Sequence, residues 1–347
     1  MASTDKRSAV LQLGFRPFFA AAGIFSVAGT LAWTGMYIAG LDFTTMTMQP
    51  LVWHAHEMIF GYTMAVIAGF LLTAVRNWTG VQTLHGVPLL LLLLLWLAGR
   101  LLFLATSEVP PLILAAVDCA FLAGLTVALA VPVARVKQWK QFGIISKILL
   151  LMASNVVFHA GLLGIIDDGM RIGLYTGLYI VIALILVMSR RVYPFFIERG
   201  VGYSVALKNR AWLDNTSLLL FLAFWIAELV KPDSLPVALL SVVLAVLHLL
   251  RLTGWYTAGI WRVPLLWVLF AGYGWLIVAF ALKAAVYFAG VSPFIALHAF
   301  AYGGIGMITL GMMARVSLGH TGRDLAKPPP ALSPTFAMLF AGAVIRV

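Results

Sequence analysis

Two imidazoles and a carboxylate stand together in residues 53–61, WHAHEMIFG, where His54, His56 and Glu57 open the apolar run Ile59 to Val75. Imidazole and carboxylate ligate transition metals and carry protons. Ionisable groups at membrane depth are costly, so such a cluster in an apolar run marks a functional-site candidate. His54 and His56 are two residues apart, about 200° around a regular helix. They therefore face different ways, and the spacing predicts two adjacent centres unless the helix begins irregularly. His54 shares a face with Met58 at i+4 and nearly with Glu57 at i+3. Imidazole with thioether suits copper, whereas two imidazoles across a porphyrin suit haem. Methionine is also a common core filler, so Met58 alone carries little weight.

The elements that must position these groups are membrane helices. Hydrophobic residues make up 63% of the 347, charged residues only 10%, and mean hydropathy is +1.02. A soluble domain has roughly a quarter of its residues charged, so the chain reads as all-α, a polytopic transmembrane bundle in contact with the lipid bilayer. The apolar runs cover nearly the whole length, which predicts a single integral membrane domain over residues 1–347. There is no cleavable signal pattern. The one cysteine, Cys119, excludes an internal disulfide and a cysteine metal cage.

A span needs about 20 mostly apolar residues. Helices are expected near 17–39, 52–75, 87–106, 110–134, 143–166, 172–189, 212–230, 235–253, 264–289 and 293–314. Residues 334–347 make about 14 residues, roughly 21 Å of helix, too short for a bilayer of about 30 Å. They read as an incomplete last span, truncated at the C-terminus. Residues 1–13 read as a cytoplasmic basic tail. The net charge of +11 sits in alternate loops, with no basic run long enough for nucleic acid. Lys6, Arg7, Arg16, Arg76, Arg135, Lys137, Lys140, Arg190, Arg191, Arg199, Lys208 and Arg210 lie on one side. Asp42, Glu108, Asp167, Asp168, Glu228 and Asp233 lie on the other. The positive-inside rule places the N-terminus in the cytoplasm. No internal repeat stands out.

Orientation turns sequence position into depth. His54 and His56 fall at the outer end of the second span, His159 about two-thirds of the way out along the fifth, and His298 at the outer end of the tenth. Four histidines from three helices thus share one layer and are the candidate ligands of a metal or haem site. Arg100 and Asp118 fall at comparable depth and are able to pair; Arg100 is equally suited to a haem propionate. Asn155, one turn before His159, is placed to orient it. Lys283 is expected to snorkel. His248 lies outside the layer, and His85 and His320 fall in cytoplasmic loops. Gly303, Gly304, Gly306 and Gly311 leave one side of the tenth span bare, for close packing or for a flat macrocycle. No nucleophile elbow, P-loop or dinucleotide fingerprint occurs.

The blocks LGFRPFF (13–19), WHAHEMIFGY (53–62), AGFLLTAVRNWTG (68–80), SRRVYPFF (189–196) and GMMARVSLGHTGR (311–323) resemble the NnrS family of bacterial inner-membrane proteins. The resemblance implies about twelve spans, haem and copper as cofactors, and a role in the response to nitric oxide in denitrification and nitrosative stress. His54, His56 and Glu57 match its HxHE pattern, and the resemblance implies a ligand role for the two histidines. A nitric oxide-handling oxidoreductase with an unidentified electron donor is one form that role takes. Nitric oxide partitions into lipid, so an intramembrane metal is reachable without a polar channel. The alternative is a metal-ion or proton-coupled transporter using the same histidines; the lack of repeat symmetry weighs against it.

Overall fold

The computed structural model describes residues 9–41, 48–105 and 107–347. Among them every regular element is helical. Ten helices are long and apolar enough to cross a membrane. They are α1 (Phe15–Ile38), α2 (Pro50–Thr79), α3 (Gly86–Leu104), α4 (Pro111–Arg135), α5 (Trp139–Leu162), α6 (Gly169–Gly200), α7 (Ala211–Val230), α8 (Leu235–Gly254), α9 (Pro264–Ala289) and α10 (Pro293–His320). A shorter apolar helix, α11 (Leu332–Arg346), follows. Lys6, Arg7 and Asp42 lie outside the described residues.

Punctuation in the sequence explains the boundaries. Pro50, Pro111, Pro264 and Pro293 each sit in a first helical turn, where the missing N–H has no intrahelical partner to lose. Gly80 and Gly290 close α2 and α9 in the left-handed region, at φ +68 and +67, a conformation that costs glycine little. The expected sixth span, 172–189, is too short. Its helix runs to Gly200 through Arg190, Arg191 and Arg199. Basic side chains at a helix C-terminus complement the macrodipole, so the charges that mark the end of the apolar run do not end the helix.

The chain forms two compact units, residues 1–181 and 182–347. In the first, the core is built from Met36, Met48, Trp53, Phe103, Leu114 and Phe158. Here α5 and α6 approach closely because Gly161, Gly169 and Gly173 carry no side chain. A Cβ on Gly173 would stand 2.6 Å from the Ser154 carbonyl oxygen. Such small-residue contacts draw membrane helices together where burial of apolar surface gives no driving force. In the second unit, buried Phe221, Phe224 and Phe280 pack edge to face.

Two ionic groups also hold that unit. Arg251 donates to Asp214, Ser217 and Tyr273. Lys283 is 5% exposed and pairs with Glu228 at 2.5 Å and Asp233 at 2.6 Å. The expectation that Lys283 snorkels to the interface is corrected. Two carboxylates from the α7 end and the loop after it are close enough to neutralise the ammonium in place.

Candidate metal centre

One turn of α2 sets the geometry. Residues Glu57–Thr63 form a π-helical turn. A wider turn inserts a residue into the helix, shifting everything after it in register, and such turns recur at functional sites. Its loosened carbonyls are taken by side chains: Thr63 Oγ1 donates to Met58 O at 2.7 Å, and Trp96 Nε1 to Gly61 O at 3.0 Å. Gly61 lets α3 in. A Cβ there would stand 3.0 Å from Arg100 Nη1 and 3.1 Å from Glu57 Oε2.

Six buried polar side chains from α2, α3, α4 and α5 converge on that turn: His56, Glu57, Arg100, Asp118, Asn155 and His159. Arg100 Nη1 donates to Glu57 Oε1 at 2.7 Å, and its Nη2 donates to Asp118 Oδ1. Asp118 is the hub. Its Oδ2 accepts from Asn155 Nδ2 at 2.7 Å and faces His159 Nε2 at 3.1 Å and His56 Nε2 at 3.3 Å. His56 Nδ1 faces Glu57 Oε1 at 3.1 Å, and its Nε2 faces Asn155 Oδ1 at 3.0 Å. The rings of Phe103, Phe158 and Phe60 enclose the His56 imidazole at centroid distances of 4.3, 4.4 and 4.9 Å.

The charge count is uneven. Two carboxylates face one guanidinium, so with neutral imidazoles the cluster carries one net negative charge in a dry interior. His56 has an acceptor opposite each nitrogen, yet a neutral imidazole has only one N–H. The site therefore calls for one more positive charge. His56, Asp118 and His159 each offer a ligand atom within 4.8 Å of the other two. Ligand atoms about 2.0–2.1 Å from a tetrahedral ion stand roughly 3.3 Å apart, close to the 3.3 and 3.1 Å from Asp118 Oδ2 to the two imidazoles. His159 Nδ1, Glu57 Oε2 and Arg100 Nε are buried with no hydrogen-bond partner among the described residues. Two imidazoles and a carboxylate are a donor set for copper, iron or zinc. A porphyrin is a different matter. Three phenylalanine rings occupy the space against His56, and those of Phe103 and Phe158 also lie 5.9 and 5.3 Å from His159. This cluster offers no cradle for haem.

The other candidate residues lie elsewhere. His54 stacks on Trp33 of α1, centroids 4.4 Å apart and planes 17° apart. The Met58 methyl also points at α1, 3.3 Å from where a Cβ on Gly29 would lie. The i, i+2 spacing thus turns the two histidines to opposite sides of α2. Glu57 bonds Arg100 and His56 rather than standing among the three convergent ligand atoms. Asn155 serves His56 and Asp118 where the sequence suggested His159. His298 belongs to the second unit, where Nδ1 donates to Phe294 O at 2.6 Å and Nε2 accepts from Arg346 Nη2 at 3.0 Å. The sequence reading paired Asp118 with Arg100 but did not count it among the candidate ligands; an aspartate inside the apolar run LILAAVDCAFLAG was the signal for it.

A chain with ten apolar, span-length helices among its described residues and a charged, histidine-bearing cluster buried between four of them is a multi-pass membrane protein with a candidate metal centre. Residues 9–347 match the family described as NnrS protein, and the chain belongs to that family. Membership supports a membrane protein of the nitric oxide response in general terms. No curated protein matches the chain.

Proposed function

We propose that the protein is a metal-dependent component of the nitric oxide response in the bacterial inner membrane, N-terminus in the cytoplasm, with a copper-type ion held by His56, Asp118 and His159. The carrying observation is the buried cluster with one unbalanced negative charge and three convergent ligand atoms. Copper accepts imidazole and carboxylate donors, and the family resemblance points to it. The ion would supply a one-electron redox centre able to bind a diatomic molecule.

The chain's own residues do the rest. Asn155 fixes the His56 ring and the Asp118 carboxylate by bonding both. Arg100 ties Glu57 to Asp118 and so locks α2, α3 and α4 in register around the site. The phenylalanine cage excludes water, leaving an apolar approach that suits nitric oxide dissolved in lipid. The haem that the resemblance implies has no room at this cluster, where the rings of Phe60, Phe103 and Phe158 enclose His56. The electron donor is a separate, unidentified partner.

Metal analysis and electron paramagnetic resonance of the purified full chain test the proposal. A stoichiometric ion, with a signal perturbed by nitric oxide and lost in His56→Ala, His159→Ala and Asp118→Asn, is expected. A folded protein that takes up no metal overturns it and favours a proton at the same place, as in the transporter reading.

A further inference from the structure

A second buried polar cluster lies in the unit of residues 182–347, around the histidine that falls outside the outer layer. His248 of α8 and Tyr273 of α9 are fully buried, and Arg251, one turn after His248, is 4% exposed. Tyr273 Oη stands 2.8 Å from His248 Nδ1. Arg251 Nη1 lies 3.0 Å from the same hydroxyl and 3.2 Å from the same ring nitrogen. Its Nη2 donates to Asp214 Oδ1 and Ser217 Oγ of α7.

Arginine has donors only, and this fixes the imidazole proton. An N–H on His248 Nδ1 would confront the Arg251 N–H at 3.2 Å. Nδ1 is therefore bare. Tyr273 donates its phenol proton to Nδ1, and Arg251 donates to the Tyr273 oxygen. The imidazole N–H is then at Nε2, which is buried with no hydrogen-bond partner among the described residues. Leaving a buried donor unanswered costs stability. Joining the helices does not require that cost, because Arg251 already ties α8 to α7 through Asp214 and Ser217. What the arrangement provides is a basic nitrogen aimed at one phenol.

A phenol that loses an electron becomes a strong acid. In a dry interior it gives the electron up readily only where a base takes the proton in the same step, and His248 Nδ1 is placed to do so. Charge permits it as well. Asp214 offsets Arg251 at 2.9 Å and also meets the exposed Arg190 at 3.3 Å. The imidazolium that forms therefore does not face an uncompensated guanidinium. The electron needs no contact with its acceptor. The rings of Trp255 and Tyr193 lie 5.4 and 6.1 Å from that of Tyr273, and 5.8 Å from each other. One-electron tunnelling crosses gaps of this size.

We propose that Tyr273 is a redox-active tyrosine with His248 as its proton acceptor, an electron donor within the membrane to small lipid-soluble one-electron oxidants of the nitrogen dioxide class. Tyr273 loses one electron and its phenol proton and becomes the neutral radical. The O–H bond breaks, an N–H bond forms at His248 Nδ1, and the ring becomes imidazolium. Nitrogen dioxide takes the electron and leaves as nitrite. None of these residues belongs to the His56 centre, so the reaction is independent of the metal proposed there.

The test uses the full chain in nanodiscs of saturated phosphatidylcholine. Nitrogen dioxide is made by pulse radiolysis of nitrite, and the products are trapped by freezing and read by electron paramagnetic resonance. Wild type is expected to give a neutral tyrosyl radical. Tyr273→Phe keeps the ring contacts and is expected to lose it, whereas Tyr287→Phe, an exposed position on the same helix, keeps it. His248→Gln is expected to slow its formation by about 100-fold or more, the contribution of a positioned proton acceptor. Wild type grown on nitrogen-15 histidine tests the pair without a substitution, since pulsed resonance should show an imidazole nitrogen coupled to the radical. No radical in wild type, an equal yield in Tyr273→Phe, an equal rate in His248→Gln, or no coupled histidine nitrogen overturns the proposal.

Discussion

Arg100 donates to Glu57 at 2.7 Å from one prong of its guanidinium and to Asp118 from the other, joining three helices through one side chain. Removing one partner of a buried ion pair leaves an uncompensated charge, at a cost of about 3–5 kcal/mol. Here two carboxylates would be left. Arg100→Leu is expected to lower stability by at least that amount, read as a drop in the midpoint of thermal unfolding in detergent. Arg100→Lys keeps the charge but not the fork, and should fall between. An unfolding midpoint unchanged in Arg100→Leu would contradict the bridging role.

Gly61 has its own consequence. Gly61→Ala places a methyl 2.9 Å from Phe25 and 3.0 Å from the Arg100 guanidinium. Overpacking of this kind costs about 1–3 kcal/mol, and it should also weaken metal binding by displacing Arg100. Gly23→Ala on α1 is the control, because nothing lies within 4 Å of the added carbon. Equal behaviour of the two variants would argue against a tight approach at Gly61.

The two histidines of α2 are separable. His54→Ala removes a stack on Trp33 and is expected to leave the metal content of the His56 site intact. His56→Ala should abolish it. Metal analysis of both variants decides, and loss of the same ion in each would show that the helix presents both to one centre.

In the proposed centre Asn155 orients the ligands, by its bonds to His56 and Asp118, rather than ligating. Loss of a partner that holds a metal ligand in place costs 10–100-fold in affinity, about 1.4–2.8 kcal/mol. Asn155→Ala should therefore bind the same ion more weakly, with a competing chelator as the gauge. Asn155→Asp is expected to keep the acceptor toward His56 and lose the donor to Asp118. Wild-type affinity in Asn155→Ala would remove it from the site.

In the second unit, Lys283→Met strands Glu228 and Asp233 and should destabilise by about 3–5 kcal/mol. Glu228→Gln in the same chain should recover part of the loss. A double-mutant cycle of thermal unfolding measures the coupling, which vanishes if the pair is incidental.

The sequence alone determined the spans, because a run of apolar side chains long enough to cross a bilayer is a local property. Eight of the ten helices lie within about four residues of where the apolar runs place them, and α6 and α10 outlast their runs, to Gly200 and His320, because basic residues favour a helix C-terminus. The i, i+2 spacing likewise determined that His54 and His56 face apart. Tertiary structure decided the partners. Asp118 as hub, Asn155 serving His56, and Lys283 held between two acids all depend on the rotation and register of helices distant in sequence. In α2 that register is moved by a single π turn, which hydrophobic periodicity does not reveal. WHAHEMIFG named the site; α3, α4 and α5 decided which of its histidines belongs to it.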